Sequence, residues 1–336
     1  MEPDAVRRGE RVHHGGEPDP DVLDFSANVN TRMPDGVDAV YRDALERSRR
    51  YPDDEYPDFR AAAAEYAGCD PEQIVPTPGG LAAIRLAIEV SLEAGDQALV
   101  PAPSFAEYAR EVRLQGAEPE FVAHDRLLGA DPAEYDLAIA CTPNNPTGDA
   151  YDPDALRAFA DDCAAAGTPL LVDEAFLGFT DRPSLAGREG AIVARSLTKL
   201  FGLPGLRAGF AVATGERRDD LATARRAWNL GTPAAAVGAH CLRDGGFVAE
   251  TRERVAAERE RLREELAGEF DLHASDAPFL LLDCGDRNVD AVLDRAREEG
   301  VALRDARTFR GLDSHVRVAV KDRDANDRLL EVLADG

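Results

Sequence analysis

RSLTKLFGLPGLRAG, residues 195–209, contains Lys199, one of only two lysines in 336 residues; the other is Lys321. Lysine and arginine together number 39, so 37 of the basic residues are arginine. A chain that meets almost every need for positive charge with arginine has no electrostatic reason to place a lysine at 199. A covalent role supplies one, because a lysine amine can lose its proton and attack a carbonyl carbon and a guanidinium cannot. Lys321, in VKDRD near the C-terminus, has no comparable setting and reads as a lysine left by chance. Ser196 and Arg207, three residues before Lys199 and eight after it, add donors suited to a phosphate.

The surrounding sequence alternates short apolar runs with helical patterns. The runs are QALVP (97–101), PEFVA (119–123), YDLAIACT (135–142), PLLVDEAF (169–176), AIVARS (191–196) and GFAVAT (209–214). Between them lie helix-like segments such as SFAEYAREVRLQ (104–115). Another is PDALRAFADDCAAAG (153–167), with Pro153 early and Gly167 as a stop. Strands separated by helices imply a three-layer α/β/α unit with a mainly parallel sheet, and nearly unbroken apolar strands imply cover on both faces. From about residue 234 the pattern changes to a smaller α+β unit. It comprises a charged helix over roughly 247–267, a strand FLLLDC (279–284), a helix DAVLDRAREEG (290–300), strands VALRD (301–305) and HVRVAV (315–320), and a final helix DANDRLLEVLADG (324–336). The regular alternation starts only after RYPDDEYPDFR. The expected division is therefore a large domain over 50–235 and a small domain built from 1–49 and 236–336.

Composition excludes several function classes. The net charge is −25, with acidic residues spread along the whole length, so no nucleic-acid partner is expected. A carboxylate-rich, lysine-poor surface suits a cytosol of high salt, where self-repulsion is screened. No apolar run approaches the ~20 residues that span a bilayer. MEPDAVRRGERVHHGG lacks the apolar segment of a signal peptide, so a cytoplasmic protein without a membrane partner is expected. Five cysteines without a C-x-x-C pair, and six histidines without ligand spacing, predict neither a disulfide framework nor a metal site.

In an open α/β sheet, ligands bind beyond the carboxyl ends of the strands. Four such ends carry unusual residues here: QALVP opens into APSF, YDLAIACT into PNNPTG, PLLVD ends on Asp173-Glu174, and AIVAR ends on SLTK. A carboxylate at 173, straight after an apolar run, calls for a cationic or protonated partner. Gly79-Gly80 begin a helix whose free N–H groups can cradle an anion. A reactive lysine, a buried acid and a phosphate cradle together suit an aldehyde with a ring nitrogen and a phosphate, which is pyridoxal 5′-phosphate (PLP).

With CTPNNPTG (141–148), VDEAF (172–176) and RSLTKLFGLPGLRAG (195–209) in that order, the chain resembles the fold-type-I PLP enzymes, the aspartate aminotransferase superfamily. The resemblance implies that Lys199 carries the cofactor, Asp173 pairs with the ring nitrogen and Asn145 bonds the ring hydroxyl. It implies that Phe105 stacks on the ring. Ser196, Thr198 and Arg207, with the backbone of Gly80 and Leu81, would hold the phosphate. Tyr51 would reach a neighbour's phosphate across a homodimer. Arg317 resembles the arginine that clamps the substrate carboxylate, and Arg304, His14, Gly15 and Asn30 are further substrate candidates. Two subgroups are similar: threonine-phosphate decarboxylases of cobalamin biosynthesis and histidinol-phosphate aminotransferases. HHGGEPDPDVLDFSANVN (13–30), and Phe176 where aminotransferases usually carry tyrosine, resemble the decarboxylases. The implied substrate is a small phosphorylated amino acid, L-threonine O-3-phosphate.

Overall fold

The computed structural model describes residues 1–334, so Asp335 and Gly336 of the expected final helix lie outside the described residues. The strands in chain order are β1 (Leu23–Asp24), β2 (Ile74–Thr77), β3 (Gln97–Ala102), β4 (Glu118–Ala123), β5 (Leu137–Cys141), β6 (Leu170–Asp173) and β7 (Ala191–Ser196). They continue with β8 (Gly209–Val212), β9 (Asp271–Leu272), β10 (Phe279–Asp283), β11 (Val301–Ala302), β12 (Arg304–Asp305) and β13 (His315–Ala319). One seven-stranded sheet has the order β2-β8-β7-β6-β5-β3-β4. Strands β3 to β7 are parallel, and β8 runs antiparallel to both neighbours. The link from β5 to β6 contains the helix Pro153–Ala166, long enough for a parallel crossover. The link from β7 to β8 holds only the four-residue helix Leu197–Leu200 and a single further turn, so the chain folds back antiparallel.

The apolar strands serve two cores. Leu137, Ile139, Cys141, Leu171, Ile192 and Ala194 pack on one face, against Ile84 and Ile88 of the helix Gly80–Ser91 and Tyr108 and Val112 of the helix Glu107–Leu114. Their neighbours Ala138, Ala140, Leu170, Val172 and Val193 face the opposite core, which includes Leu156 and Phe159 of the helix Pro153–Ala166. Successive side chains of a strand point to opposite faces. A run such as LAIAC therefore fills two layers, each buried Leu or Ile contributing about 1.5–3 kcal/mol. Asp152 caps the helix Pro153–Ala166 by accepting from Asp154 N and Ala155 N, and Gly167 ends it at φ 80°.

A second sheet has the order β12-β13-β10-β9, and β1 pairs with β11 separately. Here the sequence reading needs a correction. VALRD reads as one strand but is two, in different sheets. Val301–Ala302 runs parallel to Leu23–Asp24, while Arg304–Asp305 runs antiparallel to β13. The break at Leu303 lets one short segment tie the N-terminal stretch to the smaller sheet. The first 49 residues do not all pack with the smaller sheet. Glu2 N donates to Leu114 O (2.8 Å) and Arg110 Nε donates to Glu10 O (2.9 Å), so the chain begins against the seven-stranded unit. Among the described residues no helix is long and apolar enough to cross a membrane.

Candidate active site

The register of the large sheet sets Cys141 beside Asp173 and Asp173 beside Ala194, so the polar ends of β5, β6 and β7 lie in a row. Beyond them is a cavity of about 520 Å³. Its wall includes Lys199, Asp173, Asn145, Phe105, Gly80, Leu81, Ser196, Thr198 and Arg207 from the large sheet and its loops, with Arg317, Arg304, His14 and Gly15 from elsewhere in the chain. Residues as far apart in the chain as His14 and Arg317 meet in this cavity.

Asp173 has one partner on each oxygen. Oδ1 accepts from Ala175 N (2.9 Å) and Oδ2 accepts from the Tyr108 hydroxyl (2.5 Å). Burial pushes the Asp173 carboxyl up, and the Tyr108 hydrogen bond opposes the shift. Lys199 is depressed to about 8, first by burial and then by the positive charges of Arg317 and Arg207. A depressed amine is a nucleophile at neutral pH, in keeping with a lysine retained for covalent work.

The phosphate side depends on glycine. A Cβ on Gly79 would come within 2.6 Å of Arg207 Nη2, and one on Gly80 within 2.8 Å of Ser196 Cβ. Gly79 stands at φ 96°, where a side chain is strained, and the Ser196 Cβ leaves no room for one on Gly80. Arg207 itself stands at φ 54°, an uncommon conformation for a side-chain-bearing residue, which points its backbone into the turn after Pro204. Ser196 Oγ and Thr198 Oγ1 are 2.8 Å apart. A buried acid, a depressed lysine and this cradle fit PLP: Asp173 could face its ring nitrogen, Lys199 its aldehyde and the Gly80–Arg207 cluster its phosphate.

The remaining wall is cationic. Arg304 and Arg317 sit directly opposite each other on β12 and β13, and both are buried. Like charges placed so are mutually unfavourable. Among the described residues neither makes an ion pair, and Arg317 Nε has no hydrogen-bond partner. Burial, with Arg304 next, depresses Arg317 to about 9. Arg317 donates to Asn145 Oδ1 and to Ser26 O (3.0 Å), and lies 5.0 Å and 5.7 Å from the Phe279 and Phe309 ring centres. Arg304 donates to His13 O (2.7 Å) and Thr308 Oγ1 (2.9 Å).

Two expected residues lie elsewhere. Asn30 does not line the cavity. Its N–H donates to Lys199 O (3.0 Å), its Nδ2 to Leu200 O (2.8 Å), and its Oδ1 accepts from Arg254 Nη2 (2.5 Å). Its N–H and Nδ2 pin the turn that carries Lys199 while Oδ1 takes Arg254 and Arg32 N, so both polar atoms of the side chain are already engaged away from the cavity. Tyr51 also lies outside its own chain's cavity. It is 80% exposed, packs on Trp228 (ring centres 4.6 Å apart) and borders a separate cavity of about 1310 Å³. Sequence reasoning missed Tyr108 and Asn28. Tyr108 lies in the first turn of the helix Glu107–Leu114, just past Phe105, and packs edge-on against it with ring centres 5.6 Å apart. Asn28, two residues from Asn30 in SANVN, lines the cavity with a buried Oδ1 that has no partner; no sequence signal separates the two asparagines.

A family profile described as aminotransferase class I and II matches residues 20–333. Threonine-phosphate decarboxylase of Salmonella typhimurium is 31% identical over 335 residues, covering 93% of this chain and 90% of that protein. Histidinol-phosphate aminotransferase 2 of Archaeoglobus fulgidus is 30% identical over 337 residues, covering 95% and 94%. The crystal structure of the histidinol-phosphate aminotransferase from Clostridium acetobutylicum has the same fold, with a TM-score of 0.86 at 24% identity over 94% of this chain and 98% of that one. With a cavity built to hold PLP and a match across nearly the whole chain, this protein belongs to the PLP-dependent aminotransferase class I and II family.

Proposed function

We propose that the protein removes the carboxylate of L-threonine O-3-phosphate as carbon dioxide, giving (R)-1-aminopropan-2-yl phosphate, a step of cobalamin biosynthesis. The observation that carries this reading is the pair of buried, cross-strand arginines without ion-pair partners among the described residues. Two buried guanidiniums in one cavity call for a ligand with two anionic groups, and threonine phosphate presents a carboxylate and a phosphate at once. Phe176 supports the same reading. It lines the cavity, packs edge-on against Phe279 (5.1 Å), and offers no hydroxyl to the cofactor. The 31% identical relative from Salmonella typhimurium is a threonine-phosphate decarboxylase.

Bound PLP supplies a cationic pyridine ring that accepts the electron pair left at Cα when carbon dioxide departs. Asp173, fixed by Tyr108 and Ala175 N, keeps the proton on the ring nitrogen. Arg317 orients the carboxylate. Its hold must not tighten the ground state more than the transition state, or loss of carbon dioxide slows. Arg304 and His14 receive the phosphate. Lys199, with its amine near neutrality, is placed to return a proton to Cα. Tyr51, exposed in the single chain, is assigned to the neighbouring active site of a homodimer.

A second reading is transamination of histidinol phosphate. The 30% identical relative from Archaeoglobus fulgidus is a histidinol-phosphate aminotransferase, and the two carboxylates of glutamate also match two arginines. The test is to assay carbon dioxide from threonine phosphate, and glutamate from histidinol phosphate with 2-oxoglutarate. Carbon dioxide without glutamate is expected; glutamate without carbon dioxide overturns the proposal.

A further inference from the structure

Behind Phe105 lies a group of charged side chains that the chemistry above does not use. Glu107 and Glu111 stand one turn apart on the helix Glu107–Leu114 and are only 4% and 3% exposed. Two arginines meet them, Arg85 from the helix Gly80–Ser91 and Arg110. Both arginines favour Glu111. Arg85 Nη2 is 2.8 Å from a Glu111 oxygen against 3.6 Å from Glu107, and Arg110 Nη1 is 2.5 Å against 3.4 Å. The shortest contact of Glu107 is with His14, whose Nε2 is 2.9 Å from Oε1. A carboxylate buried to this degree needs a close charged or donor partner, and the closest one belongs to the cavity wall.

His14 lies in the N-terminal segment that borders the cavity, with its ring centre 5.8 Å from that of Phe105 and its side chain about half exposed. The segment is held on each side. A Cβ on Gly15 would come within 2.2 Å of Ser26 O, so close packing there admits only glycine, and Gly16 N donates to Ser26 Oγ (2.8 Å). Ser26 O also accepts from Arg317, so this segment is tied to the substrate arginine. An ionised carboxylate only accepts hydrogen bonds, so His14 Nε2 is the donor to Glu107; a phosphate oxygen also only accepts, so Nδ1 meets it as the second N–H of the imidazolium, which Glu107 on the far nitrogen favours.

We propose that Glu107 is a positioning residue for substrate specificity: it fixes the His14 ring at the cavity wall with Nδ1 available to the substrate phosphate, and so sets the preference for a phosphorylated over an unphosphorylated amino acid. This inference rests on the reading of the substrate as a phosphorylated amino acid. Ionic glue between two helices is the structural alternative. Glu111, with both arginines at short range, already serves that purpose.

The test is an equilibrium titration of the PLP-loaded protein, read by its visible absorbance, with O-phospho-L-threonine and with L-threonine. Glu107→Gln is expected to weaken phosphothreonine binding on the order of tenfold and to leave L-threonine binding unchanged. His14→Asn, at a half-exposed position that the fold does not need, should produce the same selective loss, and the double variant no further loss. Equal affinity of the unaltered protein for both ligands, equal losses on both ligands, or no loss in either variant would overturn the proposal. The titration reports binding and not which bond breaks. Absence of carbon dioxide release would defeat the decarboxylase reading while leaving this result to stand or fall separately.

Discussion

The Tyr108 hydroxyl donates to Asp173 Oδ2 at 2.5 Å, and both side chains are buried. A hydrogen bond to the ionised form of a carboxylate favours that form. In the proposed arrangement, Tyr108 would help keep the proton on the cofactor nitrogen and off Asp173. Tyr108→Phe removes the donor without opening a cavity. Asp173 would then compete better for the proton, and the bound ring would withdraw electrons less strongly. A hydrogen bond to a charged group contributes about 1.5–3 kcal/mol, so kcat should fall roughly 10-fold or more with KM nearly unchanged. The pH midpoint of the visible absorbance band should move upward, and a purely structural tyrosine would leave that midpoint alone.

Lys199 gives a pH dependence with a definite sign. Its value is lowered from 10.5 to about 8, so the amine is protonated below that pH and free above it. Capture of PLP by the apoprotein should accelerate as pH rises toward about 8 and level off beyond it. A lysine at its ordinary value would still gain about tenfold per pH unit at pH 9. The same depression means that the buried ammonium opposes folding below about 8. Lys199→Met should raise the apoprotein melting temperature at pH 7, and the gain should shrink as pH climbs from 8 to 10.5.

Trp228, the single tryptophan, is 51% exposed and packs against Tyr51. An exposed aromatic pair beside a large concave surface fits burial against a second copy of the chain. Sedimentation should show a dimer, and dilution should shift Trp228 emission to longer wavelength as the ring meets water. Tyr51→Ala should weaken PLP binding without touching its own chain's cavity. Constant emission and a monomer at micromolar concentration would contradict this.

The net charge is −25, and few of the charged side chains are buried. Among the described residues the buried acids are Glu107, Glu111, Asp173, Glu174 and Glu258, most of which meet an arginine or histidine. Repulsion among the rest is screened by salt, with a Debye length of about 3 Å at 1 M. The melting temperature should rise steadily with potassium chloride, and dialysis to millimolar salt should unfold the protein. A fold indifferent to salt would remove the idea.

How much of this was legible in the sequence follows from which forces are local. The large sheet was legible because its strands are apolar on both faces and each is followed by a helix or a polar turn, as at LLVD before Asp173. Strand β2, Ile74–Thr77, carries a proline and sits at the sheet edge, where a missing N–H costs little, so no central-strand pattern announced it. VALRD was misread because its partners are far away in sequence, and pairing with Leu23–Asp24 leaves no local trace. At the site, Lys199, Asp173 and Arg317 were legible because a rare lysine, an acid at a strand end and a family motif mark them. Asn30 against Asn28 was not. The choice depends on which amide the loop turns inward, and backbone contacts to Lys199 and Leu200 decide it.

Whether this cavity removes the carboxylate of a phosphorylated amino acid is read most directly from the product. The PLP-loaded protein is incubated with L-threonine O-3-phosphate, and the amine recovered is identified by mass spectrometry. Aminopropanol phosphate is expected, lighter than the substrate by one carbon dioxide with phosphate retained, and none from Lys199→Ala. Unchanged threonine phosphate, or a keto acid formed only when an amino acceptor is supplied, would contradict it.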